Sequence, residues 1–311
     1  MQSLKDLAAR PRTEQQNQIL IWLAVALAAA LTFYLGFKLS ERLFPRPKIG
    51  IVYIDTIISG QALPYFSIPL TYALEHDDVA AVVLVVNSPG GSASTSEELY
   101  FRAVELRDAK PVVTTVTSIN ASGAYYMSVG TNYIIAKPAA LVGSIGVVSG
   151  IPAGGRLSEF EATTGPFKGS GSTQVDWIRG LEAIKNSFVG HVYDNRLYLL
   201  QHQGDGSRAE LLPDARHLAT GQVWFASDAY QLGVIDALGS DKDAIAKAAE
   251  LAHVANYEIV DLTGLTLFDD PNFIFGADMP NRAETYVSTQ PSYLEEGPWP
   301  TFYHLYLPPT D

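Results

Sequence analysis

The sequence predicts an α/β domain carried behind one apolar helix, and three observations predict it. Short β-branched runs alternate with stretches of helical periodicity from residue 49 to residue 262. One such run, Ala80–Val86, is apolar on both faces, as a strand buried inside a parallel sheet has to be. Ahead of them, residues 19–37 form a nineteen-residue stretch without a charge, rich in Leu, Ala and Ile.

Taken in order, residues 1–18 are a polar lead-in and 19–38 the expected transmembrane anchor. Nineteen helical residues reach about 28 Å, close to the thickness of a hydrocarbon core. Trp22 and Tyr34 lie near its ends, where amphipathic rings favour the interface. A secretory signal peptide is the rival reading, but its apolar core is shorter and the polar lead-in fits an anchor better. Lys5, Arg10 and Arg12 before the span face Lys38, Arg42, Arg46 and Lys48 after it, so charge sets no orientation. Residues 39–48 read as a linker, stiffened by Pro45 and Pro47.

The domain proper, 49–262, opens on a strand at Ile49–Ile54. Strands are also expected at Ala80–Val86, Pro111–Thr117 and Tyr133–Ala136. Helices are expected over Thr95–Arg107, Val175–Gln201, Ser227–Leu232 and Lys242–Ala252, the last capped by Ser240 with Asp241 and Asp243 early. From residue 263 to 311 the character changes. This acidic tail holds seven of the eighteen prolines and many aromatics, with Arg282 its single basic residue. It is expected either to lie over the domain surface or to pack on a neighbouring subunit, because so many aromatics seldom stay solvated.

Composition narrows the function. A net charge of −12 argues against a nucleic-acid partner, since phosphate binding needs a basic face. The absence of cysteine excludes disulfides, thiolate zinc sites and a thiol nucleophile.

Three segments sit where strands should end. Asn87-Ser88-Pro89-Gly90-Gly91 lets the backbone turn sharply and present N–H groups at close range, though alone it is a plain turn. Asn120-Ala121-Ser122-Gly123-Ala124 places a serine between small residues at a strand-to-helix junction, the setting a serine nucleophile requires. Gly143-Ser144-Ile145-Gly146 is a turn whose hydroxyl could orient a neighbour. None of the six histidines stands in a strand-end or glycine-rich context, so a Ser-His-Asp triad has no support. A lysine serves as general base only when desolvation lowers its pKa. Lys168, in Gly165-Pro166-Phe167-Lys168-Gly169-Ser170, is flanked by an aromatic and small residues instead of carboxylates.

In this order the four segments resemble signal peptide peptidases of the SppA type. Leu218–Trp224, Ala229–Asp236 and Asp243–Ala249 are also similar to that family's carboxy-terminal half, so the likeness spans residues 49–262. The resemblance implies a Clp/crotonase-like fold of repeated ββα units and a ring-shaped homo-oligomer with its catalytic residues facing a chamber. It implies Ser122 as nucleophile, Lys168 as general base, Ser144 as the serine that holds the lysine, and the Gly91 and Gly123 N–H groups as oxyanion hole. It also implies peptide substrates, remnant signal peptides among them, and a catalytic domain outside the cytoplasm. Ala124 stands where such proteins commonly carry a second glycine. Three alternatives stay open: a peptidase of the same fold specific for one membrane protein, an acyl-CoA enzyme of the crotonase kind, and a non-catalytic peptide-binding scaffold.

Overall fold

A computed structural model describes residues 14–43, 46–150, 164–165, 167–202, 206–268 and 303–305. The chain divides after Arg46 into two units. The first contains the helix α1 (Glu14–Leu43), longer at both ends than the apolar run alone. Within it, Asn17–Gly36 is long and apolar enough to cross a membrane, and none of it is buried by this chain.

The second unit is a mixed α/β domain. Its elements run β1 (Lys48–Ile54), α2 (Leu63–Glu75), β2 (Val79–Ser88), β3 (Gly90–Ser92), α3 (Ala93–Ala109), β4 (Val112–Ala121), α4 (Gly123–Ser128), β5 (Tyr133–Ala136) and β6 (Leu141–Gly143). There follow α5 (Gln174–Gln201), a 3-10 turn (Ser207–Leu211), α6 (Ala215–Leu218), β7 (Val223–Phe225), α7 (Ala226–Gln231) and β8 (Ala237–Leu238). The domain ends with α8 (Asp241–Leu251), β9 (Glu258–Asp261) and α9 (Leu262–Phe268), and a short strand, β10 (Tyr303–Leu305), lies near the C-terminus.

The main sheet runs β7-β6-β4-β2-β1-β9, with β5 paired to β4 and β8. All of its pairs are parallel except β6 with β7. Strand alternation fills both faces. Val52 and Ile54 join Val82, Leu84 and Val86 in a core beneath α2, α3 and α9. The intervening Ile49, Ile51, Ala81 and Val83 pack on Ala244, Ala248 and Ala249 of α8. This two-sided burial is why the strands read as unbroken apolar runs. The predicted cap of α8 is present as a capping box, in which the Ser240 N–H donates to Asp243 at 2.8 Å.

A third core joins α4 to α5 and β5, with Tyr125, Tyr126, Phe188, Val192 and Ile134 all buried. Beneath it lies a fully buried ion pair. Arg196 of α5 donates twice to Asp236, each bond 2.8 Å, and its Nε–H donates to the Gly233 carbonyl at 3.0 Å. Asp236 also accepts from the Ile134 N–H at 2.7 Å, so the carboxylate pins α5 to β5.

Helix α9 runs past residue 262 to Phe268 and packs on α2. Of the tail, residues 263–268 belong to that helix and residues 303–305 form β10; the rest lies outside the described residues.

Candidate active site

Three adjacent parallel strands, β2, β4 and β6, end side by side, Ser88 opposite Asn120 and Ala121 opposite Gly143. The three glycine- and serine-bearing segments therefore meet at the carboxyl edge of the sheet, where open α/β sheets place their ligands.

At the end of β4 the chain turns directly into α4. Ser122 occupies the junction with φ 56° and ψ −121°, a left-handed conformation that a residue with a side chain enters only when its surroundings impose it. The restraint is visible: the Ser122 N–H donates to the Gly143 carbonyl at 2.7 Å, and its carbonyl accepts from the Tyr126 N–H at 2.9 Å. Ser122 is only 1% exposed, and its hydroxyl makes no hydrogen bond to a described residue. Gly123 is the first helical residue, so its N–H has no acceptor within the helix. A hydroxyl on a strained turn beside such an N–H is arranged for attack on a carbonyl.

Ser144 follows β6 as Ser122 follows β4. It is also left-handed, with φ 54°, and 8% exposed, and its N–H donates to the Gln222 carbonyl at 2.7 Å. Gly143 between them has φ 117°, and a Cβ added there would stand 2.5 Å from the Trp224 ring. Gly143→Ala is accordingly expected to destabilise the domain by about 2 to 3 kcal/mol through backbone strain and overpacking. Because its carbonyl holds Ser122, activity per folded molecule should fall as well. Paired denaturant melts and turnover measurements check both, and unchanged activity would mean that the Gly143–Ser122 bond does not bear on activity.

Gly91 lies in β3, bridged to Ile58. An added Cβ would overlap the Ile58 carbonyl, which explains why no side chain is present there. The loop carrying Ile58 also holds Asp55, whose carboxyl burial raises to about 6.

Ser122, Gly123, Ser144 and Gly91 thus converge on one edge. Lys168 makes no hydrogen bond to any of them. It is exposed, in a turn whose Lys168 N–H donates to the Gly165 carbonyl at 3.2 Å, and it makes no side-chain bond to a described residue. Sequence reasoning missed Gln222, a support for Ser144 from a segment nearly eighty residues downstream, which no local pattern announces. Among the described residues no group of three or more His, Asp or Glu side chains gathers in a metal-binding cluster.

Comparison with known proteins identifies the family of the chain. Residues 105–255 match the model of peptidase family S49. The "Putative protease MJ0651" of Methanocaldococcus jannaschii is 30% identical over 236 residues, covering 73% of this chain and 70% of that one. "Protease 4" of Haemophilus influenzae is 31% identical over 245 residues, 72% of this chain but 38% of its own length. "Serine protease SPPA, chloroplastic" of Arabidopsis thaliana is 30% identical over 193 residues, 60% of this chain and 28% of the plant protein. The α/β sheet fits the Clp/crotonase-like fold expected from the motifs, and the chain belongs to peptidase family S49 as an SppA-type serine peptidase.

Proposed function

We propose that this serine peptidase is a membrane-anchored endopeptidase that hydrolyses remnant signal peptides and similar apolar peptides at the bilayer surface. Ser122 Oγ attacks the scissile carbonyl while Lys168 Nζ takes its proton, and Ser144 orients the amine. The Gly91 and Gly123 N–H groups stabilise the tetrahedral oxyanion, a contribution of about 3 to 4 kcal/mol per donor. Collapse releases the amine, protonated by Lys168, and water hydrolyses the acyl-enzyme. The observation that carries this reading is the Ser122 turn, with a buried serine held at positive φ beside an N–H that has no acceptor within its own helix.

Lys168 reaches this hydroxyl on assembly into the ring-shaped homo-oligomer. Phe167, Val175 and Ile178, close to the lysine in sequence, are 48%, 57% and 47% exposed in the single chain. A second copy that covers them would withdraw water from Lys168, the condition for a lysine base. The apolar Asn17–Gly36 helix supports the anchor, and an extracytoplasmic catalytic domain meets signal peptides left in the membrane.

The test uses the full chain in vesicles with a synthetic signal peptide and, in parallel, a water-soluble peptide of equal length. The signal peptide is expected to be cut at least tenfold faster. Equal rates, or cleavage of the soluble peptide alone, would remove the proposed substrate class.

A further inference from the structure

Behind the Ser122 turn, α3, α4 and α5 meet around one phenol. Tyr126 of α4 is 1% exposed, and its hydroxyl has a single proton and two acceptors within reach. His191 Nδ1, on α5, lies 2.7 Å away. Glu97 Oε1, on α3, lies 3.4 Å away and also accepts from the Ser187 hydroxyl at 3.4 Å. The shorter contact is the better bond, which assigns the phenolic proton to Nδ1. Packing fixes both partners. The imidazole stacks on Tyr100 with centroids 4.6 Å apart and planes 13° from parallel. Tyr126 packs at 4.6 Å on Phe188, one turn before His191 on α5. Asn195 donates to both the Tyr100 hydroxyl and the His191 carbonyl, each at 2.8 Å.

Tyr126 is also the residue whose N–H donates to the Ser122 carbonyl. Its backbone therefore reaches the nucleophile, while its phenol reaches α5. Helix α4 has only six residues and follows directly on a serine held at φ 56°. So short a helix does not hold such a turn unaided, and strained backbone persists only where its surroundings over-determine it. We propose that His191 is a positioning residue for the nucleophile: by accepting the Tyr126 proton it fastens α4 to α5 and holds the Ser122 turn in its attacking geometry. This rests on the reading of Ser122 as nucleophile. His191 acts through Tyr126 and makes no hydrogen bond to the Ser122 hydroxyl, so its role differs from that of the base in a Ser-His-Asp triad. An apolar ring at this position would keep the stack on Tyr100 but leave a buried hydroxyl with only the long Glu97 contact.

The experiment keeps the full chain and removes the bond from either end. His191→Phe takes away the acceptor and Tyr126→Phe the donor, each with ring packing preserved. Each is expected to lower kcat on a short peptide on the order of tenfold with KM unchanged within about twofold, because a displaced nucleophile loses rate and not binding. The double variant should lose no more than either single one, since both remove the same bond. His191→Asn, whose amide oxygen takes the place of Nδ1, should recover about half of the original kcat or more. Lower melting temperature with unchanged kcat per folded molecule, or single losses that multiply in the double variant, would overturn the proposal. Labelling each chain with a fluorophosphonate and mapping the adduct separates this proposal from the reading beneath it. An adduct on Ser122 that forms equally fast in His191→Phe overturns the positioning role alone. An adduct on another serine removes the nucleophile, and the positioning role with it.

Discussion

Replacing Ser122 by alanine is expected to lower peptidase turnover by about 10⁴- to 10⁶-fold, the loss typical when a serine nucleophile is removed. Stability should change by no more than about 1 kcal/mol, because the Ser122 hydroxyl bonds to no described residue and its backbone bonds to Gly143 and Tyr126 persist. Lys168→Ala should match that loss, since without an amine nothing accepts the serine proton. Lys168→Arg should fail to restore it, because a guanidinium stays protonated throughout the accessible pH range. Turnover measured beside a thermal melt separates chemistry from folding. Retained activity in Lys168→Ala would assign the proton to another group and leave Ser122 without its proposed partner.

The largest stability effect is expected at the buried pair beneath α4. Burial works against the Arg196 charge, and the facing Asp236 carboxylate offsets it and keeps the guanidinium protonated. Arg196→Met strands Asp236, which is itself only 3% exposed, and should cost about 3 to 5 kcal/mol in denaturant unfolding. Arg196→Met/Asp236→Leu should recover part of that loss, because an unpaired buried charge costs more than an apolar contact. It will not recover all of it, since the Ile134 N–H also donates to Asp236. A loss below about 1 kcal/mol for the single variant would mean that water or a rearranged neighbour solvates the carboxylate. The pair matters for function because Tyr125 of α4, whose hydroxyl donates to the Val234 carbonyl at 2.7 Å, connects this layer to the Ser122 turn.

Much of the fold was legible because its strands are buried on both faces. β5 ends where the β-branched run does, and β1, β2, α3, α5 and α8 differ from expectation by one or two residues at most ends. Helix α2 was not expected, because Pro64 and Pro69 interrupt its pattern; Pro64 lies in the first turn, where a missing N–H costs little, and Pro69 stands on the buried face with Phe66, Leu70 and Ala73, where packing holds the helix together. β3, β6 and β7 are three residues long, too short for periodicity to register.

The turns that hold Ser122, Gly123, Ser144 and Gly91 were legible because turns at strand ends need glycine and small residues, while the roles expected of these residues came from the family resemblance alone. Local sequence could not show that Ser122 and Ser144 share a left-handed backbone, or that Gly143 and Gln222 hold them through carbonyl groups, since those bonds join distant segments. Flanking residues suggested a desolvated Lys168. In the single chain it is exposed, because desolvation depends on what packs over a segment and not on its neighbours in sequence. The tail, expected over its own domain or on another subunit, supplies one short strand to β3 of the same chain.

The central claim is that one hydroxyl, at the end of β4, is the nucleophile. Labelling the full chain with a serine-reactive fluorophosphonate and mapping the modified peptide tests it most directly. The adduct should sit on Ser122 and vanish in Ser122→Ala. An adduct on any other serine, or undiminished labelling of Ser122→Ala, would contradict the account.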